Sequence, residues 1–199
     1  MARKPEGELR RGWTTGACAT AATKAAYTAL VTGQFPDPVT IRLPRGETPA
    51  FALTRESIGD NEAWASVIKD AGDDPDVTHG AEIRSTVRWS PEVSGVSFKA
   101  GDGVGVVTKP GLPICVGEPA INPVPREMMR AAIAEVAAEQ DSSIGVEVEI
   151  SIANGEELAT RTWNPRLGIV GGLSVLGTTG IVVPYSCAAW IKSIHSGID

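Results

Sequence analysis

The chain has 199 residues, of which 42% are hydrophobic and 21% are charged, and its formal net charge is −6. This composition is typical of a globular protein, and the few, scattered basic residues argue against a nucleic-acid surface. No apolar run reaches the length of a membrane span and the first residues contain no apolar signal core, so we expect a cytoplasmic protein without a membrane partner. Three widely spaced cysteines predict neither a disulfide framework nor a metal site.

The predicted elements begin with an α-helix. A polar segment over residues 1–11 is expected to be flexible, and an alanine-rich stretch then predicts a helix over 16–32. Thr14 or Thr15 suits the N-cap, because a hydroxyl there accepts a hydrogen bond from the first turn, and Gly33 suits the position just past the end.

Most of the remaining chain predicts strands. Alternating apolar residues mark strands at 39–43, 50–54, 62–69, 83–89 and within 95–108. A second helix is predicted over 125–139 with Pro125 at its first position, then a hairpin turning at Asn154-Gly155, and a last helix over 186–194. Because helices and strands do not alternate regularly, we predict an α+β fold with a mixed or antiparallel sheet and few packing helices.

The segment 168–184, GIVGGLSVLGTTGIVVP, combines five glycines with three hydroxyl residues. Glycine lets a ligand approach the backbone, so N–H groups and hydroxyls here are able to bind an anion. The candidate binding residues are Gly171, Gly172, Ser174, Gly177, Thr178 and Thr179. The alternative is a plain strand connection, since the pattern matches neither GxGxxG nor a P-loop.

A second turn of this kind precedes the first predicted helix. Thr14, Thr15 and Gly16 lead directly into it, so backbone N–H groups are expected to point at an anionic group in an open cleft. The alternative is an ordinary helix cap.

The loop 69–80, KDAGDDPDVTHG, concentrates acidic residues with a lysine and a histidine. Such a cluster can perform acid–base chemistry or hold a cation, although it lacks the spacing of an EF-hand. The alternative is a solvated turn whose side chains cap their own backbone. We expect Lys69, Asp70, Asp73 and Asp74 to line the same cleft as the N-terminal turn, with carboxylate pKa values raised by mutual repulsion.

Two further Pro-containing turns carry polar residues that suit carboxylate recognition. Asn122 lies just before the second predicted helix and Arg126 lies in its first turn. Asn164 and Arg166 lie just before the glycine-rich segment. The alternatives are a stiff linker with a surface ion pair and a simple β-turn.

Four long blocks together resemble one family. The blocks are GWTTGACATAATKAA, IKDAGDDPDVTHGAEI, GVGVVTKPGLPICVGEPAINPVPR and TWNPRLGIVGGLSVLGTTGIVVPYS, and they span residues 12 to 186. In this order they are similar to the cobalt-precorrin-5B C1-methyltransferases of anaerobic cobalamin biosynthesis.

The resemblance implies methyl transfer from S-adenosylmethionine to C1 of cobalt-precorrin-5B, giving cobalt-precorrin-6A, with the cobalt carried by the substrate. It implies the N-terminal part of a two-domain protein, with an α+β domain at 12–184 and a connection to a second domain starting at 185–199. The corrinoid carboxylates would contact the N-terminal turn, Lys69 and the Asn and Arg residues named above. The donor would contact the glycine-rich segment, and Asp70, Asp73 and Asp74 would stabilise the sulfonium or accept a proton.

Two rival functions remain open at this point. One is a truncated corrinoid-binding module without turnover, and the other is a phosphate-binding small-molecule kinase suggested by the Gly/Thr loop. If the glycine-rich segment packs against the second domain, the isolated chain should expose an apolar patch and could form homo-oligomers. That patch would comprise Leu173, Val175, Leu176, Ile181 and Val182.

Overall fold

A computed structural model of the chain describes residues 7–90, 92, 94–142 and 145–186. In chain order, its elements are β1 (Gly12–Trp13), α1 (Thr15–Thr32), β2 (Val39–Thr40), β3 (Ala50–Phe51), β4 (Arg55–Ile58), β5 (Glu62–Ile68), β6 (Glu82–Trp89), β7 (Gly95–Ala100), β8 (Val106–Val107), α2 (Pro123–Glu139), β9 (Gly145–Ile152), α3 (Gly155–Ala159), β10 (Ile169–Val170) and β11 (Ile181–Val182).

The main sheet has the strand order β4-β5-β6-β9-β7. Its neighbouring strands are antiparallel except for β7 and β9, which are parallel, so the sheet is mixed. With few helices beside this sheet, the predicted α+β class is confirmed.

Helices α1 and α2 pack against one face of the sheet. Small alanine side chains cover α1 and are fully buried, which allows the helix to approach the strands and α2 closely. The sheet contributes the alternate residues of its central strands, such as Ile83, Val87, Val148 and Ile150. The opposite face of the same strands carries mostly polar and charged side chains.

Both long helices form near their predicted bounds. Thr14 caps α1, because its side chain accepts a hydrogen bond from Ala17 N at 3.2 Å, and Gly33 ends the helix. Helix α2 begins at Pro123, so the prediction that Pro125 holds its first position is wrong by two residues.

The hairpin predicted at Asn154-Gly155 is wrong. Strand β9 already lies between β6 and β7, so neither of its edges is free for a following strand. Asn154 takes a left-handed conformation with φ of 56° and directs the chain into α3 instead. The helix predicted over 186–194 lies almost wholly outside the described residues.

Short strands attach the glycine-rich segment to the rest of the fold. Strand β10 pairs with β8 over a small second core of Val107, Ile114, Ala120 and Ile169, and β11 pairs with β1. These pairings bring the segment against the N-termini of both long helices.

Candidate functional site

The four blocks that carry the family resemblance meet at one end of the main sheet. Trp13 N donates to Asp70 O at 2.7 Å, which joins the N-terminal turn to the acidic loop. Gly16 N donates to Leu176 O at 3.0 Å, which joins the same turn to the glycine-rich segment. Asn122 N donates to Val175 O at 2.9 Å, which ties that segment to the entrance of α2. Residues far apart in the sequence therefore form one surface, called here the loop end.

The N-terminal turn is a closed part of the loop end. Thr15 is 4% exposed, and Ala17 and Cys18 are fully buried. The amides of Gly16 and Ala17 donate to Leu176 O and to the Thr14 hydroxyl, so they are not available to an anion. The prediction that this turn opens into a cleft is therefore wrong, and substrate binding by Thr14, Thr15 and Gly16 stays a prediction.

The N-terminus of α2 offers few amide donors because two of its first three residues are prolines. Pro123 and Pro125 occupy two of its first three positions and have no N–H group, which leaves the amide of Val124. Asn122 is half-buried at the N-cap but its side chain makes no capping hydrogen bond.

The acidic loop fastens both ends of the described chain to the domain. The Asp70 carboxylate forms an ion pair with the Arg10 guanidinium, with one Nη2–Oδ1 distance of 3.0 Å. Asp73 exchanges two hydrogen bonds with the Arg10 backbone, and Asp74 Oδ1 accepts from Tyr185 N at 2.9 Å. All three predicted catalytic aspartates therefore contribute to holding the fold.

Two carboxyl groups of this loop have pKa values below the ordinary range. The hydrogen bond from Arg10, with one from Gly72 N, lowers the pKa of Asp70 to about 2. Burial alone would raise the pKa of Asp76, but the Lys69 charge and hydrogen bond, with two from Thr78, outweigh it and lower the pKa. The prediction of a raised carboxylate pKa is wrong for Asp70, because this carboxylate is paired with a cation rather than with another carboxylate.

Lys69 is a buried structural cation. Its side chain is 1% exposed and its Nζ lies 2.7 Å from Asp76 Oδ2, so it does not reach a ligand surface. Its backbone pairs with Ala81 and Gly80 at the base of the loop. Burial raises the pKa of the neighbouring Cys18 thiol to about 12, so this cysteine is not a nucleophile.

The outer side of the acidic loop borders a shallow cavity of about 500 Å³. Asp73 and Asp74 each present there a carboxylate oxygen that makes no hydrogen bond to another described residue. The lining residues are Gly72, Asp73, Asp74, Pro75, Asp76, Val77, His79 and Arg161. Of the predicted catalytic residues, the structure thus brings Asp73 and Asp74 to a cavity and leaves Asp70 beside it.

The glycine-rich segment is partly used by the fold. Gly172 lies against Gly103, and Ser174 and Asn164 contact each other at 3.4 Å while both are buried. Gly177 has φ of 132°, and a side chain there would overlap the Thr14 side chain.

The exposed remainder of the segment is smaller. Gly171 and Thr178 are exposed, and Thr179 is half-buried in a turn with Ile181. Donor binding by the six predicted residues of this segment stays a prediction.

The two predicted arginines are engaged differently. Arg126 donates to Ile121 O at 2.8 Å, to Pro119 O at 3.0 Å and to Glu118 at 3.0 Å, so it clamps the chain before α2. Arg166 is exposed, with its guanidinium carbon 4.9 Å from the centre of the Trp163 ring.

The predicted apolar patch is only partly present. Leu173 and Val175 are buried within the described chain, Ile181 and Val182 are half-buried, and Leu176 is 48% exposed. The first two residues were predicted wrongly, because they form bridges to Val104 and Ile121.

The sequence pattern does not identify Arg10 or Arg161 as residues of the acidic loop's surroundings. Arg10 lies in the segment expected to be flexible, and Arg161 lies in the second strand, 157–163, of the hairpin predicted at Asn154-Gly155. Only the tertiary fold brings either residue to the acidic loop, so no local pattern indicates its role.

The described residues contain neither a membrane-spanning helix nor a group of metal-binding side chains. None of the helices among them is long and apolar enough to span a membrane. Within the same residues, no three His, Cys, Asp or Glu side chains are grouped so that they could hold a metal ion.

Comparison with known proteins adds an independent finding. The model of the CbiD family matches residues 2–184. The chain is 63% identical over 194 residues to the cobalt-precorrin-5B C(1)-methyltransferase of Brucella anthropi, covering 98% of this chain and 53% of the relative. It is 65% identical over 191 residues to the protein of the same name in Rhodospirillum rubrum, covering 96% and 52%.

A solved structure also matches. The cobalamin biosynthesis protein (cbiD) of Archaeoglobus fulgidus superposes with a TM-score of 0.68 at 32% identity, over 95% of this chain and 59% of that one. The chain thus spans about half the length of the curated relatives it matches.

Proposed function

Because the chain belongs to the CbiD family, we propose that it supplies part of a cobalt-precorrin-5B C1-methyltransferase. The methyl group comes from S-adenosylmethionine and is transferred to C1 of the corrinoid, giving cobalt-precorrin-6A. The relatives are about twice as long as this chain.

The observation that carries the proposal is the meeting of the four family-like blocks at the loop end. Backbone hydrogen bonds of 2.7–3.0 Å connect the first, second, third and fourth blocks across the whole sequence. Residues that only preserve a core do not need to gather at one end of a sheet. Gathering of distant loops at one end is typical of a binding or catalytic surface.

The acidic cavity suits the methyl donor. It is shallow and open to solvent, and its volume of about 500 Å³ is large enough to admit a small molecule. The free carboxylate oxygens of Asp73 and Asp74 favour a nearby sulfonium cation, and Arg161 can pair with the carboxylate of the donor. Asp70 keeps the loop in place through Arg10.

Methyl transfer to carbon depends mainly on alignment of the acceptor carbon with the sulfonium. The paired N-terminal turn, glycine-rich segment and entrance of α2 form a hydrogen-bonded frame beside the cavity. This frame can hold a large, flat macrocycle while exposed parts of the segment, such as Thr178 and Leu176, contact its edge.

A chimeric enzyme tests the proposal. The region of the Brucella anthropi protein that matches this chain is replaced by this chain, and cobalt-precorrin-5B and S-adenosylmethionine are supplied anaerobically. We expect one methyl group added per corrinoid, with equal formation of S-adenosylhomocysteine, both measured by mass spectrometry. The unmodified Brucella protein and a reaction without donor are the controls.

The same assay separates the rival function. A folded chimera that binds the corrinoid but transfers no methyl group would identify a non-catalytic corrinoid-binding module and contradict the proposal. The kinase alternative is not favoured, because the family model that matches residues 2–184 is that of the CbiD proteins.

A further inference from the structure

Arg84 lies on the open face of the main sheet and makes no hydrogen bond with the part of the chain that the structure describes. It lies on β6, directly after the second family-like block, and its side chain is on the face opposite the helices. Its guanidinium donates no hydrogen bond to any described residue, and its Nε atom is buried without a partner. Arginines elsewhere on this face are paired: Arg55 contacts Glu82, and Arg88 contacts Glu62 and Glu149.

A tryptophan holds this guanidinium flat. The Arg84 guanidinium carbon lies 3.5 Å from the centre of the Trp64 ring on the neighbouring strand. Stacking on an aromatic face restricts the guanidinium and leaves its edge free to bind in the plane. Among the described residues, Arg84 Nε is the buried side-chain nitrogen that has no hydrogen-bond partner. The two terminal nitrogens of Arg84 also have no partner there but are not buried, so they face solvent.

The strand register places a serine beside Arg84 on each neighbouring strand. Ser66 on β5 and Ser151 on β9 are the cross-strand partners of Arg84. The Ser66 hydroxyl donates to Arg55 O at 3.2 Å, and the Ser151 hydroxyl lies against Gly101, which follows β7 on the far side of β9. The guanidinium itself is therefore the group that a ligand would contact here.

The nearest carboxylates are hydrogen-bonded to other cations. Glu82 pairs with Arg55, which is the main cause of its lowered pKa, and the nearby Arg84 charge lowers that pKa further. Glu149 lies 3.1 Å from Arg88 and 3.2 Å from Lys99. Each of these carboxylates already has a cation of its own.

We propose that Arg84, stacked on Trp64, is a binding site for a carboxylate group of a small-molecule ligand. The two terminal nitrogens of the guanidinium bind the two carboxylate oxygens. The peripheral carboxylates of a corrinoid and those of a simple polycarboxylic acid share this chemistry. The site is defined by this chemistry and does not depend on methyl transfer.

Calorimetric titration of the full chain tests the site. The probes are cobyrinic acid, which is a corrinoid with free carboxylates, its fully methyl-esterified form, and citrate. We expect Arg84→Lys to weaken binding of cobyrinic acid about tenfold, because lysine keeps the charge but loses the two-point contact. Arg88→Lys, the same change on the same strand and face, should leave the affinity unchanged.

Two further variants separate stacking from charge. Trp64→Leu leaves Arg84 in place but removes the stacking surface, and it should also weaken binding. Arg84→Gln removes the charge and should abolish the preference for the carboxylate over the ester. Circular dichroism and thermal unfolding of each variant verify that it is folded. The variants and the esterified probe thus separate charge, geometry and packing.

The outcomes divide clearly. Arg84-dependent binding of cobyrinic acid alone identifies a corrinoid carboxylate site, and equal Arg84 dependence with citrate identifies a general polycarboxylate site. The proposal is overturned if neither acid binds, if the ester binds as tightly as the acid, or if Arg84→Lys leaves binding intact. None of these results requires turnover, so they are distinguishable from failure of the proposed function.

Discussion

The loop end and the open face of the sheet use their charged residues in opposite ways. At the loop end, Asp70, Lys69 and Arg126 are occupied by partners within the chain. On the open face, Arg84 has a stacking partner and no hydrogen bond among the described residues. Residues that suggest chemistry in a loop often fix that loop, whereas a residue in a regular strand can remain available for a ligand.

The largest expected effect follows from removal of the buried cation of the loop end. Lys69→Met leaves the Asp76 carboxylate, whose side chain is 26% exposed, without its ion-pair partner. We expect a loss of about 3 kcal/mol in the free energy of unfolding, measured by urea denaturation.

The matched control is the double variant Lys69→Met with Asp76→Asn, which should be more stable than the single variant because no charge is left unpaired. A single variant that stays within about 1 kcal/mol of the unmodified chain would contradict the structural role of Lys69.

Two glycines of the same segment provide a finer comparison. Gly177→Ala places a methyl group against Thr14 at a left-handed φ of 132°, and we expect a loss of about 2 kcal/mol. Gly171→Ala also has a positive φ, of 88°, but meets no atom within 4 Å and should cost about 1 kcal/mol. Equal effects in thermal unfolding would show that the contact with Thr14 does not constrain the segment.

The acid dependence of stability tests the clasp between Asp70 and Arg10. The folded pKa of Asp70, about 2, lies below its ordinary value, so the stabilisation is present above that ordinary value. It is lost as the pH falls toward 2. Because the Asp70 side chain is 42% exposed, we expect about 0.5 kcal/mol after screening by solvent.

The comparison for this clasp is Asp70→Asn, which should remove that part of the acid dependence and leave the stability below pH 2 unchanged. An identical pH profile for the variant and the unmodified chain would rule out the clasp.

The smallest effect is expected on the open face. Arg84→Gln removes a stacked cation that has no hydrogen bond to any residue the structure describes, so the free energy of unfolding should fall by about 0.5 kcal/mol or less. Urea denaturation beside Lys69→Met places the two regions on one scale. A loss as large as that of Lys69→Met would mean that Arg84 is a structural residue.

The sequence predicts local structure well where local chemistry determines it. The cap at Thr14, the end of α1 at Gly33 and the alternation in β6 depend on neighbouring residues. The hairpin at Asn154-Gly155 could not be excluded from the sequence. It does not form because β6 and β7 already occupy both edges of β9, and that pairing is a property of the tertiary fold.

The candidate site could be predicted only in part, because local sequence identifies its residue types but not their tertiary neighbours. The sequence identifies Asp73 and Asp74 as polar loop residues, but their nearness to Arg161 depends on the tertiary fold. The alternation that predicts β6 contains Arg84, yet its lack of a hydrogen-bond partner depends on how the carboxylates of neighbouring strands pair. Composition and spacing do not indicate which charges will find partners.

The comparison between the two regions is tested most directly by one nuclear magnetic resonance titration of the chain with cobyrinic acid. The account predicts the largest shifts at the Arg84 guanidinium and the Trp64 indole N–H. The amides of Trp13 and Gly16, already bonded within the protein, should stay unchanged. Shifts concentrated at those amides, with Arg84 unaffected, would contradict the account and return anion binding to the N-terminal turn.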